Sequence, residues 1–129
     1  MANPAPGFKS SPDHRVDLVP EERRVRVVLG GATIADSTAA LRVEETGHDP
    51  VHYIPERDVR IALLDRTDHH SRCRYKGEAS YWTIEVPEGG GVRRSENAVW
   101  GYPTPYDEVT GIAGHYAFYP SRVDSITVE

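Results

Sequence analysis

The amino-acid sequence predicts a mainly β fold, either an antiparallel β-sandwich or an open barrel, with one short helix at about residues 56–64. Three observations lead to this class. The chain has 129 residues, which is the size of a single domain. Short segments alternate polar and apolar side chains, as strands with one buried face do. Turns containing glycine or proline separate these segments, and one segment carries apolar residues at helical spacing.

The first predicted strands form a hairpin and a third strand. Residues 24–29 alternate polar and apolar side chains, and residues 32–36 resume extended structure. Gly30 and Gly31 lie between them and can adopt the positive φ angles of a two-residue hairpin turn. Residues 41–46 alternate again and are predicted to form the third strand.

The predicted helix follows a strand that ends at a proline. Residues 51–55 are β-branched and aromatic, and Pro55 suits the first turn of a helix. Residues 56–64 carry apolar side chains at helical spacing, and acidic residues in the first turn favour the helix dipole. Residues 65–72 are polar, so we expect a loop there.

The remaining elements are strands and an N-terminal arm. Four further strands are predicted, at residues 79–86, 92–100, 116–119 and 126–128. The first of them places Tyr81 and Trp82 on opposite faces, because side chains alternate along a strand. Residues 1–15 are rich in proline, serine and charge and are expected to form an extended arm. Residues 16–129 are expected to form one β domain.

Composition argues against several classes of protein. The formal net charge is -5 and arginines alternate with acids, so no basic stripe is present to bind nucleic acid. No apolar run approaches the ~20 residues of a membrane-spanning helix. The N-terminus lacks the apolar centre of a secretory signal, and the single cysteine fits a reducing compartment. We therefore expect a cytoplasmic protein with no nucleic-acid or membrane partner, no cofactor and no metal site.

Several motifs give the chain a family resemblance. They are Tyr-Ile-Pro at 53–55, Cys-Arg-Tyr-Lys-Gly-Glu-Ala-Ser-Tyr-Trp at 73–82, Glu-Asn-Ala-Val-Trp-Gly-Tyr-Pro-Thr-Pro at 96–105, Ala-Phe-Tyr at 117–119, and shorter motifs at 6–8 and 12–16. In these motifs the sequence resembles the bacterial and fungal family of domain of unknown function 427, over essentially the whole chain. That family also carries a nucleotidyltransferase-type label, so the resemblance implies this activity as one alternative.

Lys76, Glu45 and Cys73 are the candidate catalytic residues. A turn through Lys76 and Gly77 would bring the ammonium near the thiol, and a nearby cation favours the nucleophilic thiolate. The glycine would also let a ligand approach Lys76, which could hold an anionic group. Glu45 ends a strand near aromatic residues, where a raised pKa would suit a general acid or base. The structural alternatives are a buried thiol, a lysine that reaches the surface and a solvated acid.

A dense group of aromatic residues is predicted to line a small-molecule cleft. Tyrosine and tryptophan present a flat apolar face and a hydrogen-bonding tip, which suits a binding pocket. The candidate substrate-binding residues are Tyr53, Tyr81, Trp82, Trp100 and Tyr102. The same side chains also make good core, and for Trp82 the core interpretation is the stronger one.

Three functions stay open at this level. The first is a small-molecule-binding or cofactor-independent enzyme domain, in which Lys76 anchors the ligand and Glu45 or Cys73 moves a proton or attacks. The second is an interaction module whose segment 100–105 docks a partner chain or a second copy, giving a homodimer. The third is nucleotidyltransferase-like activity, which calorimetry with ATP or GTP and Mg²⁺ would detect.

Overall fold

The computed structural model describes residues 2–129, so residue 1 of the expected arm lies outside it. The mainly β class is confirmed, with 53% of the chain in strands. The strands are β1 (Val16–Pro20), β2 (Val25–Leu29), β3 (Ala32–Ser37), β4 (Leu41–Glu45), β5 (Val51–Pro55), β6 (Leu64–Cys73), β7 (Gly77–Glu88), β8 (Gly91–Gly101), β9 (His115–Phe118) and β10 (Ser125–Val128). One short α-helix, α1 (Pro6–Ser10), precedes them.

The strands form two antiparallel sheets. The larger sheet has seven strands in the order β1-β4-β5-β9-β8-β7-β6 and curls into a half-barrel. The smaller sheet has the order β10-β2-β3. Its β2–β3 turn is the predicted one, since Gly30 and Gly31 have φ angles of 58° and 76°. Because the larger sheet curls into a half-barrel, the open-barrel alternative is the closer description of it.

The helix expected at about residues 56–64 is realised as two 3₁₀ turns, Glu56–Asp58 and Ile61–Leu63. Val59 between them pairs with Ala35 of β3 in an isolated β-bridge. The backbone N–H of Arg60 donates to the carbonyl of Ile34 at 2.8 Å. These hydrogen bonds to β3 interrupt the helix, which is why helical spacing in the sequence does not produce a continuous one.

The prediction of a polar loop at residues 65–72 is wrong, because these residues belong to β6. This strand lies at the edge of the larger sheet and pairs with β7. Charged and polar side chains suit an exposed edge, where they discourage pairing with another chain. An edge strand of this kind lacks the apolar alternation by which the other strands were predicted.

The N-terminal arm is packed rather than extended. Its helix α1 lies against the turn between β6 and β7, where the N–H of Gly7 donates to the carbonyl of Arg74 at 2.9 Å. The Phe8 ring meets the Tyr75 ring edge-on, with centroids 5.1 Å apart. A side chain at residue 7 would overlap the Tyr75 ring, since an added Cβ would lie 2.5 Å from it. The arm is therefore held to the sheet by both backbone and ring contacts.

Two hydrophobic clusters form the core. The first lies between the sheets and includes Val27, Ile34 and Ile54. The second lies on the other face of the larger sheet and includes Val43, Tyr53, Tyr81 and Tyr102. Of the helices in residues 2–129, none combines the length and apolar character that crossing a bilayer requires.

Candidate functional site

A pocket of about 360 Å³ opens beside the second core cluster. We call it the aromatic pocket. It is lined by Val43, Glu45, His48, Asp49, Val51, Tyr53, Lys76, Tyr81, Trp100, Tyr102 and Tyr119. Its volume lies within the range of pockets that take small molecules.

Strand pairing brings the aromatic rings together. Tyr81 of β7 and Trp100 of β8 are register partners, so their side chains lie on the same face of the sheet. Trp100 Nε1 donates to the hydroxyl of Tyr53 on β5 at 3.2 Å, and these two rings meet edge-on. The centroids of the Tyr119 and Trp100 rings lie 4.3 Å apart. Residues from non-adjacent strands thus form one aromatic wall.

Lys76 reaches the aromatic pocket from the turn between β6 and β7. It is only 6% exposed, and its Nζ donates to Oε1 of Glu45. Gly77 has a φ angle of 125°, which side chains rarely tolerate. An added Cβ there would lie 3.4 Å from the carbonyl oxygen of Thr104. That distance is an ordinary van der Waals contact, so the φ angle and not a lack of space requires glycine at this position.

His14 of the arm contacts Glu45, which lines the aromatic pocket, but does not itself line it. Its Nε2 lies 2.8 Å from Oε2 of Glu45, and its ring stacks on the Tyr75 ring with centroids 3.9 Å apart. His14 was not among the predicted site residues, because residues 1–15 were expected to form an unpacked arm. The family-like motif at residues 12–16 was the one signal that could have indicated it. His14, Glu45 and Lys76 form a hydrogen-bonded chain in which the carboxylate of Glu45 lies between the imidazole and the amine.

The electrostatics of Glu45 differ from the sequence-based expectation. Burial acts to raise the pKa of its carboxyl, but the hydrogen bonds from Lys76 and His14 outweigh burial, and the pKa lies below its usual value. The expected raised pKa is therefore wrong. Glu45 is a carboxylate at neutral pH and pairs with Lys76.

Burial also acts on two tyrosines of the wall, where it has the largest effect on the pKa of each phenol. It raises the pKa of Tyr53 and of Tyr102 far above the usual value of 10.0. Both phenols are therefore neutral at pH 7. The Tyr53 hydroxyl accepts a hydrogen bond from Trp100 and also contacts Tyr102 of the same wall.

Two predicted site residues lie apart from the aromatic pocket. Trp82 packs against the inter-sheet core, with its ring 4.9 Å from the Tyr116 ring and Arg66 5.8 Å above it. Cys73 is half-buried against the second core cluster and is absent from the pocket wall. The other six predicted residues line the pocket together: Glu45, Tyr53, Lys76, Tyr81, Trp100 and Tyr102.

The structure also bears on the other hypotheses. The aromatic segment proposed for docking a partner is partly internal, since Tyr102 is 8% exposed. Across residues 2–129, no group of three or more histidine, cysteine or acidic side chains is placed to hold a metal ion.

Comparison with known protein families gives a match over most of the chain. A family model described as "Domain of unknown function (DUF427)", which carries the label NTP_transf_9, matches residues 17–129. A comparison with curated proteins gives no match.

Proposed function

The chain belongs to the family of domain of unknown function 427 (DUF427), and we propose that it binds a small carboxylate with a planar or apolar body in the aromatic pocket. One observation carries this proposal. The ammonium of Lys76 belongs to a side chain that is only 8% exposed, yet Lys76 lines a pocket in which half of the other lining residues are tyrosine or tryptophan. A charge kept in such surroundings is costly unless it is paired. Glu45 pairs with one N–H group of this ammonium, and we assign the remaining N–H groups to a ligand.

The head group follows from the hydrogen-bond donors. An ammonium has three N–H groups, and one of those of Lys76 is directed at Glu45. The neutral hydroxyl of Tyr53 adds a donor in the same pocket. Charge-assisted hydrogen bonds to a carboxylate are about twice as strong as neutral ones. A carboxylate therefore satisfies these donors better than an amide or an alcohol.

The body of the ligand follows from the rings. Tyr53, Tyr81, Trp100 and Tyr119 offer flat apolar surfaces, and apolar area removed from water contributes about 25 cal/mol per Å². Glu45 and His14 have a positioning role in this proposal. They orient the Lys76 ammonium through a hydrogen bond and do not themselves need to contact the ligand.

Calorimetry with benzoate and 4-hydroxyphenylacetate tests the proposal, with benzamide as the uncharged comparison. We expect both carboxylates to bind at least about tenfold more tightly than the amide, since a hydrogen bond to a charged group contributes about 1.5–3 kcal/mol. Replacing Lys76→Met is expected to weaken carboxylate binding by at least the same factor.

The chain offers a matched control in Lys9, its other lysine, which is exposed in the arm. Lys9→Met should leave the carboxylate affinity unchanged. Absence of carboxylate binding to the wild-type protein, or equal binding to the folded Lys76→Met variant, would show the proposal to be wrong. Circular dichroism of each variant verifies that it is folded.

A further inference from the structure

A second pocket, of about 410 Å³, lies between the two sheets. We call it the inter-sheet pocket. It is lined by Val25, Val27, Pro50, Val51, His52, Ile54, Trp100, Phe118, Pro120, Asp124, Ser125 and Ile126. Most of these side chains are apolar. Its walls therefore favour an apolar occupant.

The charged groups at the rim of the inter-sheet pocket already have partners. His52 Nε2 lies 3.0 Å from a carboxylate oxygen of Glu21. Asp124 accepts hydrogen bonds from Arg93 and from the backbone N–H of Gly30, each at 2.8 Å. These groups are satisfied within the protein, so they do not require a polar ligand.

The two pockets lie on opposite faces of the larger sheet at one place. On β5, Tyr53 lines the aromatic pocket, whereas its neighbours His52 and Ile54 line the inter-sheet pocket. This is the alternation of side chains along a strand. Tyr119 and its neighbours Phe118 and Pro120 divide between the pockets in the same way.

Two residues, Val51 and Trp100, line both pockets. They lie close to β9, which is joined to each of its neighbours, β5 and β8, by two register pairs. Within residues 2–129, β5 and β9 are paired only through Ile54 with Tyr116 and Pro55 with His115. The earlier part of β5, from Val51 to Tyr53, has no register partner on β9. The pockets therefore adjoin where these two strands stop pairing.

We propose that the two pockets form one site for an amphipathic carboxylate. The head group lies at Lys76, and an alkyl chain passes Val51 and Trp100 into the inter-sheet pocket. A straight alkyl chain is narrower than an aromatic ring, which suits passage between two strands. This inference rests on the proposed function, because it uses the same anchor for the head group.

A chain-length series tests it. Calorimetry with butanoate, hexanoate, octanoate and decanoate is expected to show the dissociation constant falling by up to about fourfold for each methylene that becomes buried. The gain should stop once the chain fills the inter-sheet pocket. Benzoate, which occupies only the aromatic pocket, is the comparison ligand.

A matched pair of variants on β10 locates the chain. Ile126 lines the inter-sheet pocket, whereas Val128 lies two residues further on the same strand and outside both pockets. Ile126→Trp is expected to abolish the gain with chain length while leaving benzoate affinity unchanged. Val128→Trp should leave both quantities unchanged.

The outcomes separate this inference from the proposed function. If benzoate and butanoate bind but longer chains bind no more tightly, the extended site is wrong and the head-group site stands. A gain with chain length that persists in a folded Ile126→Trp protein would place the chain elsewhere and overturn the inference. If no carboxylate of any length binds, both proposals fail. The wild-type series alone tests the extended site should a variant not fold.

Discussion

Replacing Lys76→Met is expected to lower the free energy of unfolding by about 3 kcal/mol at pH 7. Methionine keeps most of the apolar stem of lysine but removes the ammonium. Glu45, whose side chain is 12% exposed, then remains as a carboxylate with His14 as its nearest partner. The value is at the low end for a broken buried pair, because the aromatic pocket gives water some access. A protein of ordinary stability, about 5–15 kcal/mol, would still fold.

The loss of stability in Lys76→Met should depend on pH, and its direction follows from the pKa of Glu45. In the wild-type protein the pKa of Glu45 lies below its ordinary value of 4.5, so its carboxylate stabilises the fold above that pH. This contribution is lost as the pH falls through the depressed pKa. Without Lys76, burial still acts to raise the pKa of Glu45, so protonation relieves a carboxylate that has lost its ammonium partner. The difference between wild type and variant should therefore be largest at pH 7 and shrink on acidification toward pH 4.5.

Urea unfolding followed by tryptophan fluorescence measures this loss. With an m value of about 2 kcal/mol/M, a loss of 3 kcal/mol shifts the midpoint by roughly 1.5 M. Arg94→Met is the matched control, because Arg94 pairs with Glu85 across an exposed part of β7 and β8. It should cost less than about 1 kcal/mol. A Lys76→Met loss no larger than the control, or one that does not change with pH, would refute the reasoning.

Two further predictions concern the turn and the buried phenols. Gly77→Ala should lower the free energy of unfolding by about 1–3 kcal/mol because of the φ angle of 125°. Gly91→Ala, at a site without positive φ, is the control in the same urea assay. An equal loss of stability in the two variants would contradict this reasoning. Burial raises the pKa of Tyr53 and Tyr102, so stability should fall as the pH rises above 10.0, and absorbance at 295 nm should show these phenols ionising together with unfolding. Ionisation of both in a still-folded protein would contradict this.

Local patterns predicted the strands that bury one face. The β2–β3 hairpin follows from alternation and from Gly30-Gly31, and its observed turn has the positive φ angles that two glycines permit. β6 was missed because an exposed edge strand needs no apolar face. The 3₁₀ turns at Glu56–Asp58 and Ile61–Leu63 were not foreseen, because the bridge between Val59 and Ala35 joins distant parts of the chain.

The candidate site was predictable to the extent that it depends on residue type. Tyrosine, tryptophan and lysine next to glycine indicated a pocket, and six of the predicted residues do line one. The state of Glu45 was predicted in the wrong direction, because the sequence did not show that both Lys76 and His14 donate to it. Trp82 was included from composition, although it packs on the inter-sheet side.

The sequence by itself determined the β class, most strands, the hairpin turn and the kinds of side chain available for binding. These follow from alternation and from the backbone freedom of glycine, which act within a few residues. Only the tertiary structure decided which side chains meet. It brought together His14, Glu45 and Lys76, which are separated along the chain by 31 residues at each step. It also placed two pockets side by side near the point where β5 and β9 stop pairing. Such contacts depend on how the sheet curls and where its strands stop pairing, and no local pattern encodes them.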